Sequence, residues 1–558
     1  MSKQKIKSLS VVLNPLTVFM VAAECRGLAK IGGLADVVHD LSHSLTGMGV
    51  KVRIVLPYYE IIEKPAYYTS EFKVEFGKKE WPVQVYAHQL NPVPVYLLRN
   101  TYFFGGEYGK VYVDSNKLGR GPFEDDAKRF AFFSAAALQF IKLQHDLQPS
   151  DIIHCHDWHT GTLLLLLKYH PDYSHLCQTL KTLFTIHNLD YQGIRPFEIF
   201  SNNKHMSFRD WFPDLYTALR TRPILKKIRQ LRVKKLLYNP IRTGINLADR
   251  INTVSPTYAR EITHRDNRAR NFIGGRGLED DLKNRQKKKE LVGILNGLQY
   301  EQYDPSTLDP PFDMQMKNWN KARQRHKIAF LKNFKKHIYD LEKRTGSKFK
   351  NSALIFSKLN YFDPKEWLNR PLVVAVTRVV GQKIGILLEK HGSRESLVQA
   401  ILKRDVGLII IGNGEAEEYL EDINLEPNAY FICAFDPAFA NLLYINGDIF
   451  LMPSDFEPCG ISQMIAMRYG CLPLVNNIGG LHDTVQHLKT GLKYGGRNRK
   501  EARANLLKTL DLALDYYKHR PLKWKKMQTE SMRQRFEWTG SSRVYMQLYR
   551  NMLKKNRS

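Results

Sequence analysis

LTVFMVAAECRGLAKIGGLADVVHDL, residues 16–41, holds an apolar run, two adjacent glycines and a helical pattern in close succession. The run at 16–23 predicts a strand that is covered on both faces, as strands of parallel sheets are. Apolar residues between 34 and 45 recur on one helical face, and VKVRIVLP at 50–57 predicts the next strand. The stretch therefore predicts a βαβ unit and a parallel sheet.

A second series of apolar runs begins after residue 350 of the 558-residue chain. The runs are PLVVAVTRV, VGLIIIGNG, AYFICAF, DIFLMPS and LPLVNN, and helical patterns separate them. The pattern predicts an α/β protein with two doubly wound halves, whose ligand site we expect at the carboxyl ends of the strands. We place the first domain at residues 1–350, the second at 351–530 and a closing helix at 531–558.

The chain is strongly basic, with 84 Lys and Arg residues against 55 Asp and Glu residues and a net charge of +29. Basic clusters at 226–235, 287–289 and 523–526 produce a positive field that attracts anions of any kind. A solvated basic face is an equally good interpretation. Nucleic acid binding, which would be steeply salt-dependent, is a side hypothesis that we do not favour.

Cysteine usage and hydropathy indicate the cellular compartment. The six cysteines are scattered without CxxC spacing, which argues against a disulfide framework and indicates the reducing cytoplasm. No apolar run is long enough to span a membrane, so we expect no membrane partner. Basic residues ahead of an apolar run are compatible with a signal peptide, but Asn14 and Pro15 interrupt that run. We therefore expect a cytoplasmic protein.

Lys30, Gly32 and Gly33 stand where the first strand gives way to the first helix. Free backbone N–H groups and the positive end of a helix favour an anion at such a junction. The glycines remove the Cβ atoms that would block its close approach, and the lysine adds a point charge. The motif predicts a phosphate site, although a glycine pair is also common where only turn geometry requires it.

Three histidines, His154, His156 and His159, stand in HCHDWHTG directly after another predicted strand. Their spacing is compatible with the zinc site of a metal hydrolase, but no further ligands at metal spacing follow. In a second interpretation, Asp157 converges with His187 and Asn188 of TIHNLDYQG on the hydroxyl groups of a sugar. In a third interpretation, the histidines have only a structural role and are hydrogen-bonded at the strand ends.

Three loops of the second half carry polar or flexible residues at strand ends. In TRVVGQKIG, Arg378 and Lys383 are two cations that can neutralise a diphosphate. In PSDFEPCGISQ, Glu457 stands at a strand–helix junction, and the backbone N–H groups at 460–462 can bind a phosphate. NNIGGLHDTV places a second glycine pair at a strand end. These loops predict a second anion site, although ordinary surface charges also explain a pair such as Arg378 and Lys383.

Taken in order, these blocks resemble the bacterial and plastid glycogen/starch synthases over nearly the whole chain. KIGGLADVV, HCHDWHTG, TIHNLDYQG, INTVSPTYAREI, GILNGL, TRVVGQK, FLMPSDFEPCGISQ and IGGLHDTV occur in the order found in that family. The closing FEWTGSSRVYMQLY is also similar to the family's last segment. The resemblance implies the GT-B fold, in which two Rossmann-like domains face each other across a cleft, with the C-terminal helix packing back on the first domain.

The resemblance also implies a reaction and a set of residues. Such proteins are retaining glycosyltransferases that move glucose from ADP-glucose, with UDP-glucose as the alternative donor, to the non-reducing end of an α-1,4-glucan such as glycogen. No metal and no cofactor are implied, because arginine and lysine neutralise the diphosphate. The implied catalytic residues are Lys30, Asp157, His187, Arg378, Lys383 and Glu457. The implied donor contacts are Lys30, Gly32, Gly33, Asp36, Asn296, Arg378, Lys383, Phe435, Cys459, Gly460, Ile461, Ser462 and Thr484.

These residue types suit the implied chemistry. Departure of the diphosphate leaves negative charge on it and positive charge on the sugar ring. Fixed cations stabilise that charge, and each such donor contributes about 3 kcal/mol in comparable sites. The sequence shows no carboxylate pair of the glycosidase kind, so attack from the face that the diphosphate leaves fits retention.

The sequence departs from the family's pattern at four positions. Gln299 replaces an acid, Ile384 is inserted after the key lysine, Phe435 stands where Gly-Tyr is usual, and Asp455 replaces an arginine. The departures leave a second hypothesis open, in which the chain is a catalytically weak synthase-like protein that binds glucan or nucleotide sugar.

Overall fold

The computed structural model of the chain describes residues 16–113, 124–198, 207–232, 235–345, 349–389 and 395–554. The chain divides into two compact units: the first holds residues 1–252 and 542–558, and the second holds residues 253–541. The stretch considered for a signal peptide lies, up to residue 15, outside the described residues. The same is true of residues 233–234 in the first basic cluster.

The division differs from the predicted boundary at residue 350. Residues 253–350 belong to the second unit, which includes the helix Trp319–Lys332. Arg323 and Lys327 of this helix contact the carboxylate of Asp448 at 3.6 and 2.6 Å, and all three side chains are buried. These ion pairs hold a charged segment within the second unit. A charged helical pattern does not reveal which neighbour buries it, so the sequence did not place the boundary here.

The first unit is built on a sheet whose central strand, β1, is fully buried. Its strands are β1 Thr17–Val21, β2 Lys51–Pro57, β3 Tyr67–Phe76, β4 Lys79–Leu90, β5 Val93–Arg99, β6 Ile152–His156, β7 Lys181–Ile186, β8 Arg195–Pro196, β9 Arg229–Arg232, β10 Lys235–Tyr238 and β11 Arg250–Thr253. The main sheet follows the order β11-β7-β6-β1-β2-β5-β4-β3, and β8-β10-β9 form a small antiparallel sheet. β1 pairs in parallel with β2 and β6, so the predicted βαβ unit is confirmed.

Eight helices accompany this sheet in the described part of the first unit. They are α1 Gly33–Gly47, α2 Thr101–Phe104, α3 Glu124–Lys142, α4 Gly161–Tyr169, α5 Phe208–Trp211, α6 Pro213–Leu219, α7 Leu225–Ile228 and α8 Pro240–Leu247. α1 buries Val37, Val38, Leu41 and Leu45 on the face that the spacing predicted. Because β1, β6 and β7 are parallel neighbours, the loops after them meet at one edge of the sheet.

The second unit contains a parallel sheet of its own. The strands of this unit are β12 Leu291–Gly293, β13 Leu372–Val376, β14 Gly407–Ile411, β15 Ala429–Ile432, β16 Ile449–Met452, β17 Leu472–Asn476 and β18 Leu492–Tyr494. β13 to β18 form the sheet in the order β15-β14-β13-β16-β17-β18, and all of its pairs are parallel. The chain reverses its direction of travel between β13 and β16, the switch point at which such sheets bind ligands.

Helices make up most of the rest of the second unit. They are α9 Pro256–Glu261, α10 Glu279–Lys287, α11 Trp319–Lys332, α12 Phe334–Thr345, α13 Ser352–Leu359, α14 Pro364–Leu368, α15 Gly381–Leu388, α16 Leu397–Leu402, α17 Glu418–Glu421, α18 Pro437–Asn446, α19 Ser462–Arg468, α20 Gly479–Thr484, α21 Arg499–His519, α22 Pro521–Arg533 and α23 Trp538–Lys554. None of the helices among the described residues is both long and apolar enough to cross a membrane.

The last helix, α23, returns to the first unit. The part that joins the first unit begins at Ser542, whose hydroxyl lies 2.8 Å from that of Ser44, whereas the predicted segment began at residue 531. Asn252 donates to the Tyr545 hydroxyl at 2.9 Å. The Tyr549 hydroxyl lies 2.9 Å from Nδ1 of His154, so this helix reaches the end of β6.

Candidate functional site

The first glycine loop follows β1 and is held by a buried carboxylate. Glu24 Oε2 accepts hydrogen bonds from the backbone N–H groups of Ile31 and Gly32, at 2.6 and 2.8 Å. The Tyr112 hydroxyl donates to the other carboxylate oxygen at 3.0 Å, and burial raises the pKa of Glu24. The sequence predicted free N–H groups here, and the structure corrects this for Gly32. An anion at this junction would instead meet the first turn of α1, which begins at Gly33.

Neither glycine of this loop is required by the protein's own conformation. Gly32 has φ −130° and ψ −173°, which any residue adopts. An added Cβ at Gly32 or at Gly33 would meet no heavy atom within 4 Å. Packing therefore leaves room for a side chain at both positions.

Lys30 is fixed beside this loop by the first turn of α1. Its ammonium donates to Asp36 Oδ1 at 2.7 Å, and Arg26 contacts the same oxygen at 3.3 Å. The Lys30 side chain is 42% exposed, so it can still reach a ligand. Asp36, which the resemblance places near the transferred sugar, holds two cations in the structure.

Asp157 follows β6 in a strained backbone conformation. Its φ is +60° and its ψ is −175°, a region that is nearly restricted to glycine and costs about 1–3 kcal/mol. Burial raises the pKa of its carboxyl well above the usual value, against hydrogen bonds from the backbone of Trp158, His187 and Asn188. Oδ1 has no hydrogen-bond partner among the described residues. Strain and an unpartnered buried oxygen at a strand end mark a ligand-binding position.

His154 uses both ring nitrogens within the first unit. The Thr185 hydroxyl donates to Asn252 at 2.7 Å, so it accepts from His154 Nε2 at 2.6 Å. Nδ1 accepts from Tyr549, and no nitrogen is left for a metal. Among the described residues, no group of three or more His, Cys, Asp or Glu side chains is placed to hold a metal ion. The zinc interpretation therefore has no support in the structure.

His156 and His187 bring the ends of β6 and β7 together. His156 Nδ1 lies 3.0 Å from His187 Nε2. Burial lowers the pKa of His187 to about 3 and that of His156 well below its usual value, so both rings are neutral at pH 7. His156 Nε2 and His159 Nδ1 are buried without a partner among the described residues. Neutral imidazoles both donate and accept hydrogen bonds, which suits hydroxyl groups.

Lys383 and Glu457 form a buried ion pair at the switch point of the second sheet. Lys383 lies in the first turn of α15, and Glu457 follows β16. The lysine ammonium contacts Glu457 Oε2, and the Ser454 hydroxyl donates to the same oxygen at 3.2 Å. The two side chains are 13% and 7% exposed. Arg378 is exposed in the loop between β13 and α15. The structure thus brings Lys383 and Glu457 together and leaves Arg378 exposed in the preceding loop.

The inserted Ile384 does not disturb this ion pair. Its side chain is buried in the core of the second unit, while the preceding Lys383 reaches Glu457. Gln382 accepts from the backbone N–H of Asp455 at 2.9 Å and donates from its side chain to the carbonyl of Phe456 at 2.8 Å. The insertion is therefore accommodated inside α15.

The other departures also have local structural roles. Asp455 is paired with Arg499 of α21 at 2.9 Å and accepts from Asn271 at 3.0 Å, so an arginine is present at this place although it comes from another segment. Gln299 accepts from the Gln302 side chain at 2.7 Å. Phe435 is 67% exposed in the loop after β15, which leaves its ring accessible. None of these contacts weakens the pair of Lys383 and Glu457.

The second glycine loop is built into the protein. Gly479 has φ +43°, and an added Cβ would lie 1.9 Å from the carbonyl oxygen of Glu457. At Gly480 an added Cβ would lie 2.1 Å from the carbonyl oxygen of Cys459. Gly480 N–H donates to the Glu457 carbonyl at 3.0 Å, and Gly479 N–H donates to Glu261 Oε1 at 3.0 Å. The loop therefore lies directly against residues 457–459.

Asn296 has a buried side-chain oxygen without a hydrogen-bond partner among the described residues. Its backbone N–H donates to the thiol of Cys459, and burial raises the pKa of that thiol to about 12. The Thr484 hydroxyl donates to the Gly480 carbonyl at 2.7 Å, so its proton already takes part in a hydrogen bond within the second unit. The remaining predicted donor contacts lie at the N-terminus of α19: Gly460, Ile461 and Ser462.

Sequence reasoning missed the residues that hold the loops rather than face a ligand. Glu24 and Glu261 bond the two glycine loops, Tyr112 supports Glu24, and Arg499 pairs with Asp455. Glu24 had a signal, because an acid directly after a buried strand needs a partner. Arg499 had no such signal in the sequence, because its partner Asp455 lies far from it along the chain.

Comparison with known proteins supports one family for the whole chain. The starch synthase catalytic domain model matches residues 17–284, and the glycosyl transferases group 1 model matches residues 375–520. The glycogen synthase of Geotalea daltonii is 34% identical, over 97% of this chain and 99% of that protein. The glycogen synthase of Oceanobacillus iheyensis is 31% identical, over 96% and 98%.

A solved structure agrees with these sequences. The catalytic domain of starch synthase IV from Arabidopsis thaliana, bound to ADP and acarbose, is 25% identical over 97% of this chain and 100% of that chain, with a TM-score of 0.72. The predicted class of two Rossmann-like α/β domains of the GT-B type is confirmed. The chain belongs to the glycogen and starch synthase family of glycosyltransferases.

Proposed function

We propose that this glycosyltransferase uses ADP-glucose as donor and extends glycogen, or another α-1,4-glucan, at the non-reducing end with retention of configuration. The observation that carries the proposal is the buried pair of Lys383 and Glu457 at the switch point of the second sheet, beside the Gly479–Gly480 loop. The starch synthase with a similar structure is bound to ADP, which supports ADP-glucose over UDP-glucose.

The second unit would bind the diphosphate. Arg378 is exposed after β13, and Lys383 is held by Glu457 at the start of α15. Cations that are fixed before the reaction stabilise charge on a leaving group without reorganisation. Glu457 would release part of its hold on Lys383 to accept from a glucose hydroxyl. Phe435 would contact the base, since its exposed ring offers a stacking face.

The first unit would bind the glucose and the developing positive charge. Asp157 Oδ1, His156 Nε2 and His159 Nδ1 are buried polar atoms without partners among the described residues, and all three lie at the end of β6, next to the end of β7. His187 is neutral at pH 7, so it acts as a hydrogen-bond group for a hydroxyl and not as an acid. Lys30, which precedes α1, would offer a cation to an anion at the first glycine loop.

The diphosphate itself would accept the proton of the attacking glucan hydroxyl. Attack on the face that the diphosphate leaves then gives retention without a protein nucleophile. We propose that lysine and arginine replace a metal ion, so the enzyme needs neither metal nor cofactor. We place the enzyme in the cytoplasm because its cysteines are free thiols in the described structure.

The test is a transfer assay with ADP-glucose and UDP-glucose side by side, glycogen as acceptor and a metal chelator present. We expect transfer from ADP-glucose and a much slower reaction with UDP-glucose. Lys383→Ala should lower kcat with ADP-glucose by about 100-fold or more, as the loss of a fixed charge donor does elsewhere.

Lys403→Ala is the matched control, because the Lys403 side chain is 74% exposed and pairs with Glu395 at the surface. It should leave kcat unchanged. No transfer from either donor by folded protein would refute the proposal, and so would full activity of Lys383→Ala.

A further inference from the structure

A cationic cavity lies in the second unit, away from the pair of Lys383 and Glu457. It encloses about 730 Å³ and is formed by α9, the segment after it and the loop at 496–497. Small-molecule sites commonly measure about 300–1,000 Å³, so the cavity has the size of a ligand site. Nothing in the proposed reaction uses its residues.

Arginine side chains dominate the lining of this cavity. They are Arg260, Arg265, Arg270 and Arg497, and the only carboxylate among the lining residues is that of Glu261. Clustered guanidinium groups raise the local concentration of anions and bind planar oxyanions through paired hydrogen bonds.

Only part of this positive charge is neutralised inside the unit. Arg265 pairs with Glu279 at 3.4 Å and with the exposed Asp280 at 3.8 Å, and Arg497 pairs with Glu501 at 3.1 Å. Arg260 donates to the Thr257 hydroxyl at 2.7 Å, which is a neutral partner. Arg270 forms no ion pair with any residue that the structure describes. The cavity therefore keeps a net positive charge.

The cavity also has an aromatic corner. The ring of Phe272 stands edge-on to the ring of His264, with centroids 6.4 Å apart, and both residues line the cavity. An aromatic face beside guanidinium groups suits a ligand with a phosphate at one end and a sugar or base at the other.

A second cavity of the protein lacks this excess of positive charge. It encloses about 300 Å³ in the first unit and is lined by both signs of charge, with Glu75, Asp172 and Asp214 against Lys78 and Arg222. Acids outnumber the lysine and arginine there, so an anion would be repelled as much as attracted. The arginine lining is thus a particular feature of the larger cavity.

We propose that the arginine-lined cavity at 257–272 and 496–497 binds a small phosphorylated metabolite, with its phosphate on Arg270 and Arg497 and its organic part against Phe272. The proposal does not depend on the transfer reaction, because it concerns a second site.

The cavity wall is connected to the second glycine loop. Glu261 lines the cavity and accepts from the N–H of Gly479, and Thr257 lines it and donates to Asp483 at 2.6 Å. A ligand that rigidifies this wall should therefore slow hydrogen exchange at residues 477–485, which lie outside the cavity.

The experiment measures binding to the full chain by calorimetry at fixed ionic strength. Inorganic phosphate, glucose 1-phosphate and adenosine monophosphate are the three probes, and the tightest one identifies the source of the phosphate. We expect saturable binding to the wild type. Arg270→Gln and Arg497→Gln should each weaken it about tenfold, the loss expected for one charge-assisted hydrogen bond.

Arg268→Gln is the matched control, since Arg268 is exposed in the same short turn as Arg270 and does not line the cavity. It should leave binding unchanged. Thermal unfolding checks that all three variants fold, which is expected because these side chains are exposed. The proposal is overturned if no probe binds saturably, or if Arg268→Gln weakens binding as much as Arg270→Gln does. Slower exchange at 477–485 on probe binding to the wild type supports the connection, and unchanged exchange refutes it.

Discussion

The tetrapeptide Ile-Gly-Gly-Leu occurs twice in this chain, at 31–34 and at 478–481, and packing requires glycine in only one of the two copies. At Gly480 an added Cβ would lie 2.1 Å from the carbonyl oxygen of Cys459, whereas at Gly33 it would meet no atom within 4 Å. The second loop therefore needs glycine in order to fold. The first loop has no such need in the protein, so the approach of a ligand to its backbone stays a prediction for Gly32 and Gly33.

The two loops also share a kind of hydrogen bond that the sequence does not show. In each, a carboxylate accepts a backbone N–H: Glu24 for Ile31 and Gly32, and Glu261 for Gly479. Burial raises the pKa of both carboxyl groups. The same tetrapeptide is therefore under different physical constraints in the two loops. Variants at matched positions can distinguish these constraints.

The largest effect is expected for Gly480→Ala. The new methyl group would overlap backbone atoms of Cys459, which cannot move as a side chain end does. We expect the free energy of unfolding to fall by about 3 kcal/mol or more, measured by urea denaturation. Gly540→Ala is the control, because an added Cβ there meets nothing within 4 Å, and it should be neutral or slightly stabilising. Equal stability of the two variants would remove the contrast between the loops.

Glu24→Gln should have the next largest effect. Glu24 accepts from two backbone N–H groups and from the Tyr112 hydroxyl, and an amide replaces one of those acceptors by a donor. We expect a loss of about 2 kcal/mol in unfolding free energy, with faster hydrogen exchange in residues 29–36. Glu261→Gln, with a single backbone N–H to satisfy, should cost less. The reverse order would show that the two carboxylates do not hold the loops as described.

Gly33→Ala should impair catalysis but not folding. If a ligand approaches this backbone, the methyl group should lower kcat/KM for ADP-glucose about tenfold, which corresponds to 1.4 kcal/mol. The unfolding free energy should change by less than about 0.5 kcal/mol, because the position is open. Steady-state kinetics and urea denaturation of the same preparation give both values. Unchanged kinetics would mean that the glycine serves turn geometry alone.

A pH effect at Glu261 should be the smallest. Burial raises its pKa to about 7 from the usual 4.5, so the folded protein binds a proton more tightly than the unfolded chain. The carboxyl therefore lowers the free energy of unfolding as pH rises from 4.5 towards 7, and its contribution is constant above that.

The slope attributable to Glu261 cannot exceed about 1.4 kcal/mol for each pH unit. Glu261→Gln should abolish this slope, which urea denaturation of wild type and variant between these pH values would reveal. His154, His159 and His187 act in the opposite direction, because burial lowers their pKa to about 3, but they are common to both proteins and cancel. Parallel pH profiles of the two proteins would contradict the role of Glu261.

The departures from the family pattern illustrate the limits of sequence reasoning. Ile384 is inserted after Lys383 in the family's pattern, yet it is buried in α15 and the lysine still reaches Glu457. Asp455 stands where an arginine is usual, and in the structure it pairs with Arg499 of α21. A single sequence cannot show such substitutions in space, because the compensating residue lies far along the chain.

The sequence by itself determined the two α/β halves and the positions of the polar motifs at strand ends. Both follow from local patterns, namely the period of apolar residues and the residues that directly follow each run. The tertiary structure decided which glycines the fold requires, which carboxylate holds each loop and where the boundary between the units falls. Those features depend on contacts between atoms that are close in space but distant in sequence, such as the carbonyl of Cys459 and the backbone of Gly480.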